Sequence, residues 1–124
     1  MRDIMLVGLG GALGSMVRYA FGIALASASI AFPFSTLLVN VLGCFLMGAL
    51  VGLGTHFISL AEPLRLLLAV GVLGGFTTFS TFSLETMQLL QRGQLQVAMA
   101  YIAVSVLLSL IAIFAGVALT KLLI

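Results

Sequence analysis

The most unusual chemistry in the sequence lies in residues 71–82, which carry the sequence GVLGGFTTFSTF. A Gly-Gly pair followed by a Thr-Thr pair disfavours helix, so we predict a break in the helix near residues 74–78. The carbonyl oxygens freed at such a break are suitable ligands for a hard cation such as Na⁺. A kink stabilised by its own hydroxyl groups, with no bound ion, is the alternative that the composition leaves open.

Two phenylalanines follow the predicted break. Phe79 and Phe82 are three residues apart and share a helix face, which continues to Glu85. Because the rim of a phenyl ring is electropositive, ring edges can solvate a small anion without trapping it as an arginine would. Thr81 and Glu85 are four residues apart and could relay hydrogen bonds. Phenylalanines at this spacing are also common packing residues, and Glu85 could simply be solvated near the far interface.

Two other polar side chains interrupt apolar stretches, where each needs a partner or a function. Asn40 carries two amide donors and could bind a ligand or a neighbouring helix. Arg18 belongs to a row at four-residue spacing with Gly10, Gly14 and Gly22, and these glycines allow close approach of another helix. We therefore expect Arg18 to face protein, either as a fixed positive charge that attracts an anion or as a structurally paired residue.

A row of hydroxyl groups marks the last apolar stretch, where Tyr101, Ser105 and Ser109 recur at four-residue steps. Such a stripe either holds helices together or forms one wall of a polar pathway. With one Cys (Cys44) and one His (His56), a single chain cannot assemble a His/Cys metal cluster. No nucleophile–base pair is evident, so we do not expect an enzyme.

The composition of the chain indicates whether these residues lie in membrane-spanning segments or in a soluble domain. The chain has 124 residues, of which 63% are hydrophobic and 6% are charged, and its mean hydropathy is +1.38. A typical soluble domain is roughly a quarter charged, so the sequence predicts an integral membrane protein and excludes a soluble enzyme. The net charge of +2 comes from a few scattered residues and forms no cluster that would bind nucleic acid.

The polar interruptions near residues 29–35, 55–64 and 90–96 leave four apolar segments, each about as long as a membrane-spanning helix. The sequence therefore predicts an all-α fold with one transmembrane domain over residues 1–124 and a third helix broken mid-membrane. The predicted spans are residues 4–28, 35–56, 64–90 and 96–122. Gly93 is placed as a helix C-cap. Residues 24–26 resemble a signal-peptidase site, but a retained first span fits the charges better.

The basic residues give only a weak preference for one orientation. With four spans, Arg2, Arg65 and Lys121 lie at one side and Arg92 lies at the other. We hypothesise that the chain inserts in both orientations, which would permit an antiparallel homodimer.

Three motifs together resemble those of a known family. They are residues 10–19 (GGALGSMVRY), residues 36–43 (TLLVNVLG), and residues 74–83 (GGFTTFSTFS) with Glu85. On these motifs, the chain is identified as a member of the Fluc (CrcB) fluoride-specific ion channel family, and the resemblance covers its whole length.

The resemblance implies an antiparallel dual-topology homodimer in the bacterial inner membrane. Its two pores would pass fluoride passively down the electrochemical gradient and so lower cytoplasmic fluoride. The partners implied are fluoride, a second copy of the chain and the lipid bilayer, with no nucleic acid. A central structural Na⁺, which is not transported, would be held by the backbone carbonyls of Gly74 and Thr77.

The resemblance also assigns roles to side chains. The ring edges of Phe79 and Phe82 would meet fluoride, and Asn40 would donate to it at the vestibule end of the pore. The remaining assignments are Ser80 and Thr81 as pore-lining residues, Glu85, Tyr101, Ser105 and Ser109 as a polar track, and Arg18 as a source of positive potential or structural pairing.

Two other functions fit four small spans. A proton-coupled multidrug exporter would be expected to have a membrane-embedded carboxylate in its first span, where this chain has only Arg18 after the terminal Asp3. A non-conducting assembly subunit would explain the glycine-rich faces but would leave the predicted break without a purpose.

Overall fold

The computed structural model of the chain describes residues 1–56 and 62–124, and these residues are helical apart from short connections. Helix α1 is Arg2–Ala24, α2 is Phe34–His56, α3 is Glu62–Arg65, α4 is Gly74–Phe76, α5 is Phe79–Gln91 and α6 is Leu95–Leu123. A π-helical segment, Leu66–Leu73, joins α3 to α4.

Four helical stretches are long and apolar enough to cross a membrane: Arg2–Ala24, Phe34–Gly54, Glu62–Gln91 and Leu95–Leu123. The prediction of an all-helical chain with four such spans is confirmed. The first span is shorter than predicted, because turns and bends occupy residues 25–32. Of the predicted polar link at 55–64, residues 57–61 lie outside the described part of the chain.

The third span combines three backbone conformations. The π-helical segment ends where the Gly74 N–H donates to the Ala69 carbonyl, five residues back. Helix α4 follows, and then Thr77 (φ −77°, ψ 157°) and Thr78 (φ −152°, ψ 116°) are extended before α5 begins. The sequence analysis did not predict the π-helical geometry.

Glycines bring the first and third spans into backbone contact. A Cβ atom added to Gly71 would lie 2.9 Å from Gly10 Cα, and one added to Gly75 would lie 2.9 Å from Gly11 Cα. Because a real Cβ atom does not approach backbone so closely, any side chain here would push α1 away. The glycines of α1 therefore contact the third span directly. This contact sets the distance between α1 and the third span next to the extended residues Thr77 and Thr78.

The second and fourth spans form the other close pair. Gly116 of α6 lies against α2, where an added Cβ would be 2.7 Å from the Ala49 nitrogen.

A short connection between α5 and α6 leads the chain into α6, which packs against α2. Gly93 (φ +72°) donates its N–H to the Leu90 carbonyl, and Gln94 donates to the Leu89 carbonyl, both at 3.0 Å. This hydrogen-bond pattern confirms that Gly93, the residue after the C-cap Arg92, is the glycine that ends α5.

Candidate functional site

Asn40 on α2 holds the extended backbone of Thr78. Its Oδ1 accepts the Thr78 N–H at 2.8 Å, and its Nδ2 donates to the Thr78 carbonyl at 3.1 Å. One side-chain amide thereby satisfies both polar groups of a residue that has left the helix. Unpaired backbone groups are costly in a buried setting, so this pair stabilises the interruption.

Thr78 also begins the next helix as its N-cap. Its Oγ1 accepts the Thr81 N–H at 3.2 Å and donates to Thr81 Oγ1 at 3.0 Å. Ser80 Oγ lies 3.3 Å from the same Thr78 oxygen. Since a threonine N-cap satisfies a donor that the first turn of a helix leaves free, α5 can start immediately after the extended residues.

Two of the N–H groups that would serve carbonyls in a continuous α-helix have other partners here. In a continuous helix, the Thr78 N–H would reach the Gly74 carbonyl and the Thr81 N–H would reach the Thr77 carbonyl. Here those donors go to Asn40 Oδ1 and Thr78 Oγ1 instead. Gly74 is exposed and Thr77 is half-buried.

Arg18 lies at the end of the first half of the third span. Its Nε donates to the Gly75 carbonyl at 3.0 Å, and its side chain is half-buried. A cation at a helix C-terminus stabilises the partial negative charge of the terminal carbonyls. Arg18 is thus hydrogen-bonded to the backbone of the third span, and its positive charge lies beside the interrupted helix.

Aromatic rings extend from the interruption toward α6. The ring centroids of Phe79 and Phe82 are 5.4 Å apart, and those of Phe82 and Tyr101 are 5.2 Å apart. Phe79 is 77% exposed, whereas Tyr101 is completely buried. The row therefore runs from the surface of the chain into its interior.

Glu85 is joined to two other spans through hydroxyl groups. Thr36 Oγ1 donates to Glu85 Oε1 at 2.8 Å, and the Tyr101 hydroxyl donates to Oε2 at 2.7 Å. Each carboxylate oxygen thus has a donor, one from α2 and one from α6. These two hydrogen bonds connect the middle of α5 to α2 and to α6.

A cavity of about 270 Å³ adjoins the extended residues on one side. Its walls are Asn40, Cys44, Thr77, Thr78, Phe79, Phe82, Ser105, Val106 and Ser109. None of these described residues is charged. Ser105 Oγ is buried and has no hydrogen-bond partner that meets the distance and angle limits among the described residues.

A second cavity, of about 510 Å³, lies on the other side of Thr78. Its walls include Arg18, Thr36, Thr78, Thr81 and Glu85. Thr78 lines both cavities, so the extended residue separates an uncharged compartment from one that contains both a cation and a carboxylate.

The structure groups most of the predicted site residues around the interruption. Asn40, Thr77, Phe79, Phe82, Ser105 and Ser109 line the first cavity, and Arg18, Thr81 and Glu85 line the second. Ser80 contacts Thr78, and Tyr101 contacts Glu85. Thr36 and Thr78 were not predicted as site residues. Thr78 is a threonine immediately before Phe79, the first residue of α5, and this is a capping signal that could have identified it.

No group of three or more His, Cys, Asp or Glu side chains that could hold a metal ion occurs in residues 1–56 and 62–124.

Comparison with known proteins identifies the family. The model of the family described as "CrcB-like protein, Camphor Resistance (CrcB)" matches residues 5–117. This chain belongs to the CrcB-like family. The family predicted from the three motifs is thus confirmed.

Several CrcB-like relatives carry the same descriptive name, "Fluoride-specific ion channel FluC". One from Rhizobium meliloti (strain 1021) is 50% identical over 122 residues, covering 98% of both chains. One from Rhodospirillum centenum is 49% identical over 98% of this chain and 97% of the relative. One from Saccharophagus degradans is 45% identical over 93% of this chain and 86% of the relative. With its four candidate spans, this CrcB-like protein is a multi-pass membrane protein.

Proposed function

We propose that this chain forms a fluoride channel, not an enzyme, that passes fluoride passively down its electrochemical gradient and lowers cytoplasmic fluoride. The observation that carries the proposal is the uncharged cavity beside the extended residues, lined by Asn40, Phe79, Phe82, Ser105 and Ser109. The names of relatives that are up to 50% identical support the same ion.

The cavity offers the chemistry that dehydration of a small anion requires. A pore must replace the water around fluoride and still let the ion leave. Asn40 Nδ2 has two hydrogens, of which the Thr78 carbonyl takes one. Ser105 supplies a hydroxyl, and the rims of Phe79 and Phe82 supply weak positive potential. No cation lines this cavity to trap the anion.

The working form in this proposal is an antiparallel homodimer with two pores. Phe79 lines the cavity yet leaves 77% of its surface exposed. One chain therefore leaves the cavity open along its side, and a second copy would close it. The weak charge bias between the two sides of the membrane supports insertion in both orientations.

The freed carbonyls support a structural Na⁺ in the same dimer. Gly74 and Thr77 have lost their α-helical donors, and Gly74 is exposed where a second copy could reach it. Two carbonyl oxygens from each copy form an all-oxygen donor set of the kind that hard cations prefer. The ion would hold the two interruptions together and would not be transported.

The other polar residues extend the pathway on both sides of the aromatic rings. Ser80 and Thr81 would line it near the interruption, and Glu85 and Tyr101 would continue it as hydrogen-bonded partners. Arg18 would hold the end of α4 and add positive potential beside the pathway.

Fluoride efflux from liposomes tests the proposal directly. Purified protein is reconstituted into vesicles loaded with potassium fluoride, a potassium ionophore is added, and release is followed with a fluoride electrode. Matched vesicles loaded with chloride run alongside. We expect fast fluoride release and negligible chloride release.

A matched pair of variants links that flux to the cavity. Phe82→Leu removes a ring from the pathway, whereas Phe114→Leu changes a ring that is 74% exposed on α6. Only Phe82→Leu should lower the flux while the dimer persists. If folded wild-type dimers release neither ion, the channel proposal fails, and an exporter or an assembly subunit becomes the better explanation.

A further inference from the structure

A polar stripe runs along α5 beyond the proposed pore. Thr78, Thr81, Glu85, Gln88 and Arg92 follow one another at steps of three and four residues, which places them on one face of the helix. Thr78, Thr81 and Glu85 line the 510 Å³ cavity. The stripe then continues past Glu85 to the end of the helix, where Arg92 is the C-cap.

The last three residues of the stripe line a third cavity. This cavity has a volume of about 260 Å³, and Glu85, Gln88 and Arg92 form one wall of it. Residues 29–33 of the connection between α1 and α2 form the opposite wall. Ser29 and Glu85 line both this cavity and the 510 Å³ cavity, so the two meet at these residues.

Topology places the third cavity at an end of the bundle of spans. The chain leaves the first span just before residues 25–33 and leaves the third span just before residues 92–94. Since both spans are odd-numbered, both connections lie at the same end. Connections between spans lie at the membrane–water interface, because hydrocarbon cannot satisfy irregular backbone. The third cavity is therefore open to water at that interface.

Arg92 dominates the charge at this end. It is the only charged residue in the two connections, residues 25–33 and 92–94. Its side chain is exposed, and no ion pair involves it within the described residues. Glu85, deeper in the cavity, directs its two oxygens to the hydroxyls of Thr36 and Tyr101. An anion arriving from water would thus meet an uncompensated cation before it meets the carboxylate.

We propose that this third cavity is the outer mouth of the ion pathway and that Arg92 raises the local concentration of the permeant anion there. The proposal rests on the proposed channel function and adds an entrance that the pore residues do not define. Arg92 acts here through its field, because its side chain is exposed and it lies ten residues beyond Phe82 on α5. Gln88, on the same wall, supplies neutral hydrogen-bonding groups between the cation and Glu85.

Ionic strength separates this role from a structural one. Fluoride efflux from liposomes is compared for wild type, Arg92→Gln, Arg92→Lys and Arg65→Gln. Arg65 is an exposed cation that lines none of the three cavities, so its replacement removes the same charge elsewhere. We expect Arg92→Gln to lower the initial rate about twofold at ~0.01 M ionic strength, where charges act over about 30 Å. Arg92→Lys and Arg65→Gln should match wild type.

The same measurement in about 1 M of an impermeant salt should abolish the difference, because screening then limits electrostatic forces to about 3 Å. Gln88→Glu provides a second variant, since it adds a negative charge to the mouth at an exposed position. It should lower the rate at low ionic strength and recover at high ionic strength.

Two results would overturn the proposal while leaving the channel intact. One is a rate for Arg92→Gln equal to that of Arg65→Gln at low ionic strength. The other is a loss that persists at high ionic strength, which would assign Arg92 a structural role at the C-cap of α5. Absence of fluoride release from folded wild type would instead contradict the channel function itself, and the mouth with it.

Discussion

Asn40 shows how one side chain can take over the role of a helical turn. Its amide presents one acceptor and one donor, and Thr78 presents the complementary N–H and carbonyl at 2.8 and 3.1 Å. Aspartate has the acceptor but no donor when ionised, and leucine has neither. The position therefore requires an amide of this length.

Replacement of Asn40 by aspartate should destabilise the protein. The new carboxylate would keep the bond to the Thr78 N–H but face the Thr78 carbonyl without a hydrogen. We expect a loss of about 1–3 kcal/mol, measured as a lower unfolding temperature in detergent. Gln96→Glu, the same chemical change at an exposed position of α6, is the control. Equal melting temperatures for the two variants would contradict the bridging role.

Tyr101 allows a cleaner single-atom test. Tyr101→Phe keeps the buried ring but removes the donor to Glu85 Oε2 at 2.7 Å. An acceptor left without its donor costs about 1–3 kcal/mol, so the unfolding temperature should fall. Tyr19→Phe, at a residue that is 72% exposed, should leave it unchanged. A neutral Tyr101→Phe would mean that Thr36 alone holds Glu85.

The sequence predicts which polar side chains have a role better than it predicts which groups they bond to. Asn40 and Arg18 stand out because polar groups are expensive within apolar spans. Their partners are backbone groups of Thr78 and Gly75, which lie 38 and 57 residues away. No local pattern encodes such pairs, because they exist only once the spans have packed.

At the scale of elements, backbone contact between α1 and the third span positions the whole site. Gly10, Gly11 and Gly14 on α1 meet Gly71 and Gly75, and an added Cβ at Gly14 would lie 2.7 Å from the Phe76 nitrogen. Backbone cannot rotate away as a side chain can. The distance between these two spans therefore depends on the absence of side chains.

Gly14→Ala should consequently disrupt the fold around α4. Overpacking costs about 1–3 kcal/mol, and we expect lower recovery of folded protein and a reduced unfolding temperature. Gly8→Ala is the matched control on the same helix, because an added Cβ there meets nothing within 4 Å. If both variants behave alike, the close approach of α1 to the third span does not determine stability.

The elements themselves were only partly predictable. The Gly-Gly and Thr-Thr pairs indicate weak helix near residues 74–78, and Thr77 and Thr78 are extended in the structure. The π-helical segment Leu66–Leu73 has no such signal, since its sequence LLLAVGVL is compatible with an ordinary apolar α-helix. The segment packs against α1, and composition does not describe this contact.

At the scale of the whole molecule, the proposed Na⁺ makes a prediction about stability. A ligand that binds only the folded dimer stabilises it by about 2.7 kcal/mol at 100-fold excess over its dissociation constant. Protein purified throughout in N-methylglucamine salts should therefore unfold at a lower temperature than protein in sodium salts. The measurement is thermal unfolding followed by size exclusion.

Potassium salts at the same ionic strength provide the control for nonspecific salt effects. Recovery of the higher unfolding temperature on adding Na⁺, but not K⁺, would support the carbonyl site at Gly74 and Thr77. Identical temperatures in all three salts would contradict a stabilising sodium ion.

Composition alone was sufficient for the four spans and the membrane class, because the hydrocarbon core imposes both length and hydrophobicity. The association of two copies could only be inferred. Side chains that face lipid and side chains that face a second copy are equally apolar, so exposed residues such as Phe79 do not reveal their partner by type.

The bond pair between Asn40 and Thr78 also bears on how a dimer would assemble. Both residues belong to one chain, so each copy can carry its interrupted third span before it meets another. Two such copies would need only to diffuse in the plane of the bilayer, displace the lipid between them and dock. The slow step of assembly would then be an encounter between preformed halves, and its rate would depend on their density in the membrane.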